Sequence, residues 1–340
     1  MKLFPVTSVV VVLLAATATA SADQQLAQEQ RSFIAAAHGE VIVWSSYDSG
    51  SNGYKLMTLS NGVPTPLPVA PRPDAFDVSL GAGEGPNPVA VYSRCTGKTP
   101  PLYTEGGLVH SSSGCDIYRY DFATRSERKV TSVSSSRFSE TQPSIWGNRI
   151  AFVRELRPTG RQSVRNAVYV GRTQGARRAR RQPTPRSPRG GQVEGVNLTG
   201  RGLFFVWRRT RLDPISDAIL TRVVGRRAVE LDRIGSGGAA YGQLLRPSLD
   251  GPRVYYGRLV DGRGRIWRLG LRGDRSFGVG RQIQATSLSA QPGGRFLLAT
   301  SLSGSCLLNL ADPPSASLCT LTLTDPVRFA RHKRPRGEQT

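Results

Sequence analysis

The stretch Thr141-Gln-Pro-Ser-Ile-Trp-Gly-Asn-Arg-Ile-Ala-Phe-Val-Arg-Glu-Leu156 reads as strand, tight turn, strand. Pro143 to Trp146 is a short apolar run, and Gly147-Asn148 supplies two residues that tolerate positive φ. Ile150 and Phe152 then resume a β-branched and aromatic pattern. That combination predicts a β-hairpin, and the rest of the chain is built from looser copies of it.

Upstream, Val41-Ile-Val-Trp44, Tyr54 to Leu59, Thr65 to Val69 and Asp74 to Leu80 form one predicted four-stranded meander, with a turn at Asn61-Gly62. The cycle recurs from Val89-Ala-Val-Tyr92, Ile150-Ala-Phe-Val153, Leu203-Phe-Phe-Val-Trp207, Val254-Tyr-Tyr256 and Phe296-Leu-Leu-Ala299. Each of these starts follows a turn rich in Gly, Pro or Asn, such as Pro86-Asn87-Pro88 or Asp250-Gly251-Pro252. A period of about 43 to 60 residues, short strands and no convincing amphipathic helix predict an all-β fold, a six-bladed β-propeller of four-stranded antiparallel blades. A lone four-stranded sheet cannot bury both of its faces. The aromatic residues that recur in the first two strands of each unit are therefore expected to form the core between blades.

Pro143-Ser-Ile-Trp-Gly-Asn-Arg-Ile-Ala-Phe-Val153, followed by Asn166-Ala-Val-Tyr-Val170, resembles the WD40-like repeat of TolB-type propellers, and Asp116-Ile117-Tyr118 is similar to the aspartate-initiated second strand of that repeat. The resemblance touches most of residues 33 to 332 and is sharp only around Trp146. The family's Ser-Pro-Asp-Gly turn is replaced by Gly147-Asn148 here and decays to Leu249-Asp250-Gly251 and Gln291-Pro292-Gly293-Gly294 elsewhere. The resemblance implies a fold and carries no ligand with it.

Met1-Lys2, an apolar segment from Val6 to Ala16 and the small residues Ala20-Ser21-Ala22 follow the order of a secretory signal peptide, with cleavage expected before Asp23. Residues 23–31 are expected to be a linker, 32–332 the propeller and 333–340 a disordered basic tail. No later stretch is apolar and long enough to cross a membrane. The expected location is extracytoplasmic, in the periplasm or cell envelope or secreted, and the expected state is a monomer. Four cysteines in such a chain suggest two disulfides, and local spacing predicts Cys95 with Cys115 and Cys306 with Cys319. Lys+Arg number 46 against Asp+Glu 24, a formal charge of +22, so anionic polymers or surfaces are candidate partners. Lys2, Lys55, Lys98, Lys129 and Lys333 are the only lysines. The arginine excess fits either a GC-rich coding sequence or selection for carboxylate and phosphate binding.

His38, His110 and His332 stand in no metal-binding spacing, and nucleophile-elbow and phosphate-loop patterns are absent. Glu140, Glu155, Asp213 and Asp217 are too sparse to single out an acid–base pair. The reading is against catalysis, and no cofactor or metal is expected. Gly175 to Gly191 is the densest basic run; it reads as a polybasic patch or, more plainly, as an edge strand blunted by charge and followed by a Pro/Arg loop. It lacks interleaved aromatics, which weighs against nucleic acid. Arg94, Arg154, Arg208 and Arg258 each lie just beyond a predicted first strand. If that strand lines the channel, they are candidates for an anion-binding ring at its mouth. The sequence thus points to a binding or scaffolding module for a protein or an anionic envelope partner; the alternative is a polysaccharide lyase or hydrolase with its site at the channel mouth.

Overall fold

The structure, a computed structural model, describes residues 23–29, 33–96, 102–104, 107–109, 114–156, 165–175, 178–185, 191–210, 216–235, 242–260, 263–271, 277–301 and 319–332. The expected signal peptide, the basic tail and Cys306 lie outside these residues. Six sheets are arranged as the blades of a β-propeller. Blade one contains Ala35–His38, Val41–Asp48, Gly53–Ser60 and Val63–Pro66, in that order from the channel outward. Blades two to five begin at the inner strands Ser79–Ala82, Glu140–Trp146, Gln192–Thr199 and the interrupted pair Gly242–Leu244 and Ser248–Asp250; blade six begins at Ala285–Gln291. No helix among the described residues is long and apolar enough to cross a membrane.

The buried hydrophobic residues fall into one cluster per seam between neighbouring blades. Val43, Leu56 and Tyr92 fill the seam of blades one and two, Ile117 and Phe152 that of two and three, and Val153 and Phe205 that of three and four. Phe204 and Tyr256 pack between four and five, Tyr255 and Phe296 between five and six, and Trp44 and Leu321 between six and one. The recurring aromatics thus bury apolar area between sheets, as their repetition implied.

The Gly147-Asn148 hairpin forms as expected, with Ile145 opposite Ile150, Trp146 opposite Arg149 and Gly147 at φ +58°. The phase of the repeat is one strand different from the expectation. Val41–Asp48, Pro88–Cys95 and their counterparts are second strands, and the residues expected to close the preceding unit, such as Ser79 and Leu80, belong to the channel-lining strand of the next blade. The reason is burial. A second strand has a strand on either side and a blade over both faces, so Val89 to Ser93 are all buried; this gives it the strongest hydrophobic run. The inner strand borders an open channel and is made of smaller or more polar residues.

The ends of the chain also differ from expectation. Residues 24–29 are no linker: Gln24–Glu29 is the outermost strand of blade six, paired with Cys319–Leu323 and closing the ring. Glu29 is buried there and accepts hydrogen bonds from Trp44 Nε1 and from Ser46 Oγ of blade one, both at 2.6 Å. At the other end, Val327 and Phe329 pack into the seam of blades five and six, and Ala330–His332 adds an outer strand to blade five. The N-terminal segment fits the closing position because its Leu26 and Ala27 pack against the seam of blades six and one.

Candidate functional site: the central channel

The propeller has two faces. On the turn face, the inner and second strands are joined by tight turns such as Gly147-Asn148, and in blade two by the longer loop of residues 83–87. On the opposite face lie the far ends of the second strands and the Cys95–Cys115 disulfide, which joins directly paired residues of blade two. Cys319 is likewise disulfide-bonded.

Arg94, Arg154, Arg208 and Arg258 all lie toward the opposite face, but they do not form a ring of available charge. Each meets a carboxylate: Arg94 Nε and Glu127 at 2.6 Å, Arg154 Nε and Glu140 at 2.9 Å, Arg208 Nε and Glu194 at 2.7 Å, Arg258 Nη1 and Asp232 at 3.2 Å. Each also donates to a backbone carbonyl in a blade connection or a flanking strand, those of Ala70, Val133, Gly242 and Arg233 respectively. The expectation of an anion-binding ring rested on these strands lining the channel, and they are second strands. Their arginines act as staples between segments. Burial raises the pKa of Glu140 to about 7, with Arg154 opposing, and pushes Glu194 and Asp232 upward against the pull of Arg208 and Arg258. The polybasic run contributes Arg180–Arg181, an exposed outermost strand of blade three, in keeping with a charge-blunted edge.

The channel is lined instead by the inner strands. It contains a cavity of about 550 Å³ bounded by residues of all six blades. Side chains tie these strands to one another around the cavity. Leu198 N donates to Ser144 Oγ, Asn197 Nδ2 to the Pro247 carbonyl, Ala290 N to Ser248 Oγ and Ala37 N to Ser289 Oγ, over 2.7 to 3.3 Å. Ser144, Ser248 and their counterparts therefore satisfy backbone groups that lack a strand partner on the channel side.

At the turn face, the last residues of five inner strands, His38, Trp146, Thr199, Asp250 and Gln291, line the cavity together with Arg201. Trp146 is 39 % exposed, the only aromatic among the exposed large hydrophobic residues described. Its ring meets His38 edge-on with centroids 6.3 Å apart. It also lies against Gly200, where a Cβ would fall 2.9 Å from the indole. Burial lowers the pKa of His38, which favours the neutral imidazole.

Deeper in the channel the inner strands of blades three to six are irregular, with bulges at Gln142 and Gly195 and a break at Leu245 to Pro247. Gln142 has φ +48°, and its conformation is held from both ends: its N–H donates to Asp77 at 2.6 Å and its Oε1 accepts from Gly195 N at 2.6 Å. Arg246 starts from the corresponding break in blade five and crosses the channel. Its guanidinium donates to the Pro143 carbonyl of blade three at 3.0 Å and to the Val78 carbonyl beside blade two at 3.4 Å. Desolvation draws its pKa down to about 10, with Asp77 opposing. Among the described residues no group of three or more His, Cys, Asp or Glu is placed to hold a metal ion.

Sequence reasoning gave Arg246 no role, and Trp146 only that of marking the sharpest repeat. A signal existed: Gln142-Pro-Ser-Ile-Trp-Gly147 and Arg246-Pro-Ser-Leu-Asp-Gly251 are the same motif, and aligning them places Arg246 on the channel with Gln142 and Asp250 on the rim with Trp146. The Gly147-Asn148 and Asp250-Gly251 turns correspond in the sequence as well, and the channel position lies four to five residues before them.

No family model and no curated protein sequence matches the chain. Its structure is similar to solved propellers at low identity. TolB of Acinetobacter baumannii aligns at 12 % identity and TM-score 0.43 over 71 % of this chain and 52 % of that one. A puromycin-hydrolysing peptidase of Mycobacterium tuberculosis aligns at 13 % identity and TM-score 0.50 over 89 % of this chain and 53 % of its own. A gluconolactonase of Xanthomonas campestris aligns at 12 % identity and TM-score 0.50, over 89 % of both chains. The chain thus spans about half the length of the first two. At such identities the likeness is one of fold.

Proposed function

We propose that the chain is an extracytoplasmic binding module that holds an anionic partner from the cell envelope through the turn-face mouth of its channel. The observation that carries this reading is the rim, where the exposed Trp146 meets His38 and shares with Arg201 and Asp250 the lining of a cavity of about 550 Å³. An aromatic platform with a few convergent polar groups over a preformed cavity is the usual make-up of a ligand site. The side-chain ties between inner strands make the rim rigid, so little ordering cost opposes binding. The formal charge of +22 adds long-range attraction for anions, and the Cys95–Cys115 disulfide suits an oxidising compartment.

The test is retention of material from the producing cell's own envelope fraction by the immobilised mature protein, at low and at high salt. Capture is expected to weaken with salt without vanishing, because the rim also buries apolar surface, and Trp146→Ala is expected to reduce it by about tenfold, in line with an aromatic anchor. Turnover of an envelope polysaccharide that is lost on His38→Ala or Asp250→Asn would replace this reading with the lyase or hydrolase alternative.

A further inference from the structure

Arg246 differs from the four arginine staples in one respect that the fold does not require. Acids are scarce in this chain, yet each of Arg94, Arg154, Arg208 and Arg258 has been given one. Arg246, in the cavity wall, has two backbone carbonyls and, among the described residues, no carboxylate in salt-bridge range. Asp77, the acid whose field it feels, is already engaged by Ser93 N, Ser93 Oγ and Gln142 N at 2.6 to 2.8 Å. A guanidinium carries five N–H donors in a planar fork, so two carbonyl contacts leave donors for a ligand. Half-buried in the cavity wall and touching no carboxylate, the Arg246 charge gains a direct counter-ion when an anion arrives.

The fold also makes room for this side chain. In blade three the equivalent position is Gln142, so a neutral residue serves there. In blade four it is Gly195, at φ +67°, where a Cβ would stand 2.9 Å from Arg246 Cβ. Beyond the break, at the end of Ser248–Asp250, Asp250 lines the rim. A polyanion threading the channel would meet that carboxylate. A monoanion with its charge at Arg246 and a neutral, hydroxylated body toward Asp250, His38 and Trp146 would not.

We propose that Arg246 is the anion-recognising group of the channel, and that the ligand group it takes is a single carboxylate borne on a hydroxylated ring, of the uronic-acid type. The inference rests on the binding reading above and specifies the chemistry of the same site. The carboxylate sits in the fork of Arg246, and the flat apolar face of the ring covers the Trp146 indole.

The experiment uses the mature protein and four probes: glucuronate, its neutral amide glucuronamide, glucose and inorganic phosphate. Trp44, Trp207 and Trp267 are buried, so a change in tryptophan emission reports Trp146. Glucuronate is expected to change the emission and raise Tm, and to bind at least about tenfold more tightly than the amide, glucose or phosphate, as loss of one charge-assisted pair implies. A neutral oligosaccharide ending in one glucuronate that binds better than the monosaccharide identifies a chain end as the source; the reverse identifies the free acid. Arg246→Met is expected to abolish the preference for acid over amide while leaving Tm unchanged or higher. Equal binding of acid and amide by the unmodified protein overturns the proposal, and this comparison does not depend on any variant folding. A large fall in Tm for Arg246→Met, with the acid preference absent from the parent, assigns Arg246 to structure alone. Envelope capture that persists without any response to glucuronate overturns this inference and spares the broader reading; loss of both overturns both.

Discussion

Glu155 lies on the second strand of blade three, one residue beyond the Arg154 staple, and its pKa is raised to about 7 by burial. The sign of the effect on stability follows directly. The folded protein holds a proton on this carboxyl at pH values where the unfolded chain, near 4.5, has released it. Stability from this group is therefore present below about pH 4.5 and is lost as pH rises toward 7. Glu140 acts in the same direction, whereas His38, lowered by burial, gains stability as pH rises through its ordinary 6.5. Asp48, held down to about 2 first by its bond with Lys55, changes only in acid below this window. Comparing Glu155→Gln with the parent isolates one contribution. The variant is expected to be more stable at pH 8 by about 1 kcal/mol after solvent screening, or about 2–4 °C in Tm, with little difference at pH 4.5. Thermal melts at the two pH values decide it, and an equal shift at both would mean that packing, not titration, is responsible.

The elements that were legible from sequence are those with strong local chemistry. The Gly147-Asn148 turn and the alternating strands around it are specified by residues within a few positions, as is the Cys95–Cys115 pair across neighbouring strands. What could not be read was the role of each strand. An inner strand such as Ala35–His38 or Ser79–Ala82 is short, and its signal is weak because one edge faces the channel. The channel arginine was therefore hidden in a stretch that looked like a connection, while the arginines that looked available are neutralised by Glu127, Glu140, Glu194 and Asp232, contacts that only three-dimensional packing brings about. At this scale the disulfide offers a clear test. Replacing Cys95 and Cys115 together by serine should cost about 3 kcal/mol on the loop-entropy estimate for a closed loop of this size. The inter-blade seams should persist, so denaturant melts are expected to stay a single transition at a lower midpoint; a biphasic melt would show that blade two had come loose from its neighbours.

The whole molecule is held as a ring, and the decisive contacts are at its closure. Removing residues 23–29 would strip the outer strand from blade six, expose the edge of Cys319–Leu323 and leave Trp44 Nε1 without the carboxylate of Glu29. An orphaned buried donor alone costs about 1–3 kcal/mol, and the lost strand pairing and seam contacts add to it. The truncated protein is expected to melt well below the parent or to aggregate through its bare edge; a Tm within about 2 °C of the parent on calorimetry would refute this account of closure. The same joint sets the order of events in folding. Gln24 pairs with Leu323 and Glu29 with Cys319, so the first of the described strands waits for nearly the last of them. Loop closure over such a separation is slow, and five blades can assemble on their neighbours before it happens. A newly made chain therefore passes through an open arc with two unpaired edges, and its exposure to chaperones and proteases is governed by the time that one early strand takes to find its late partner.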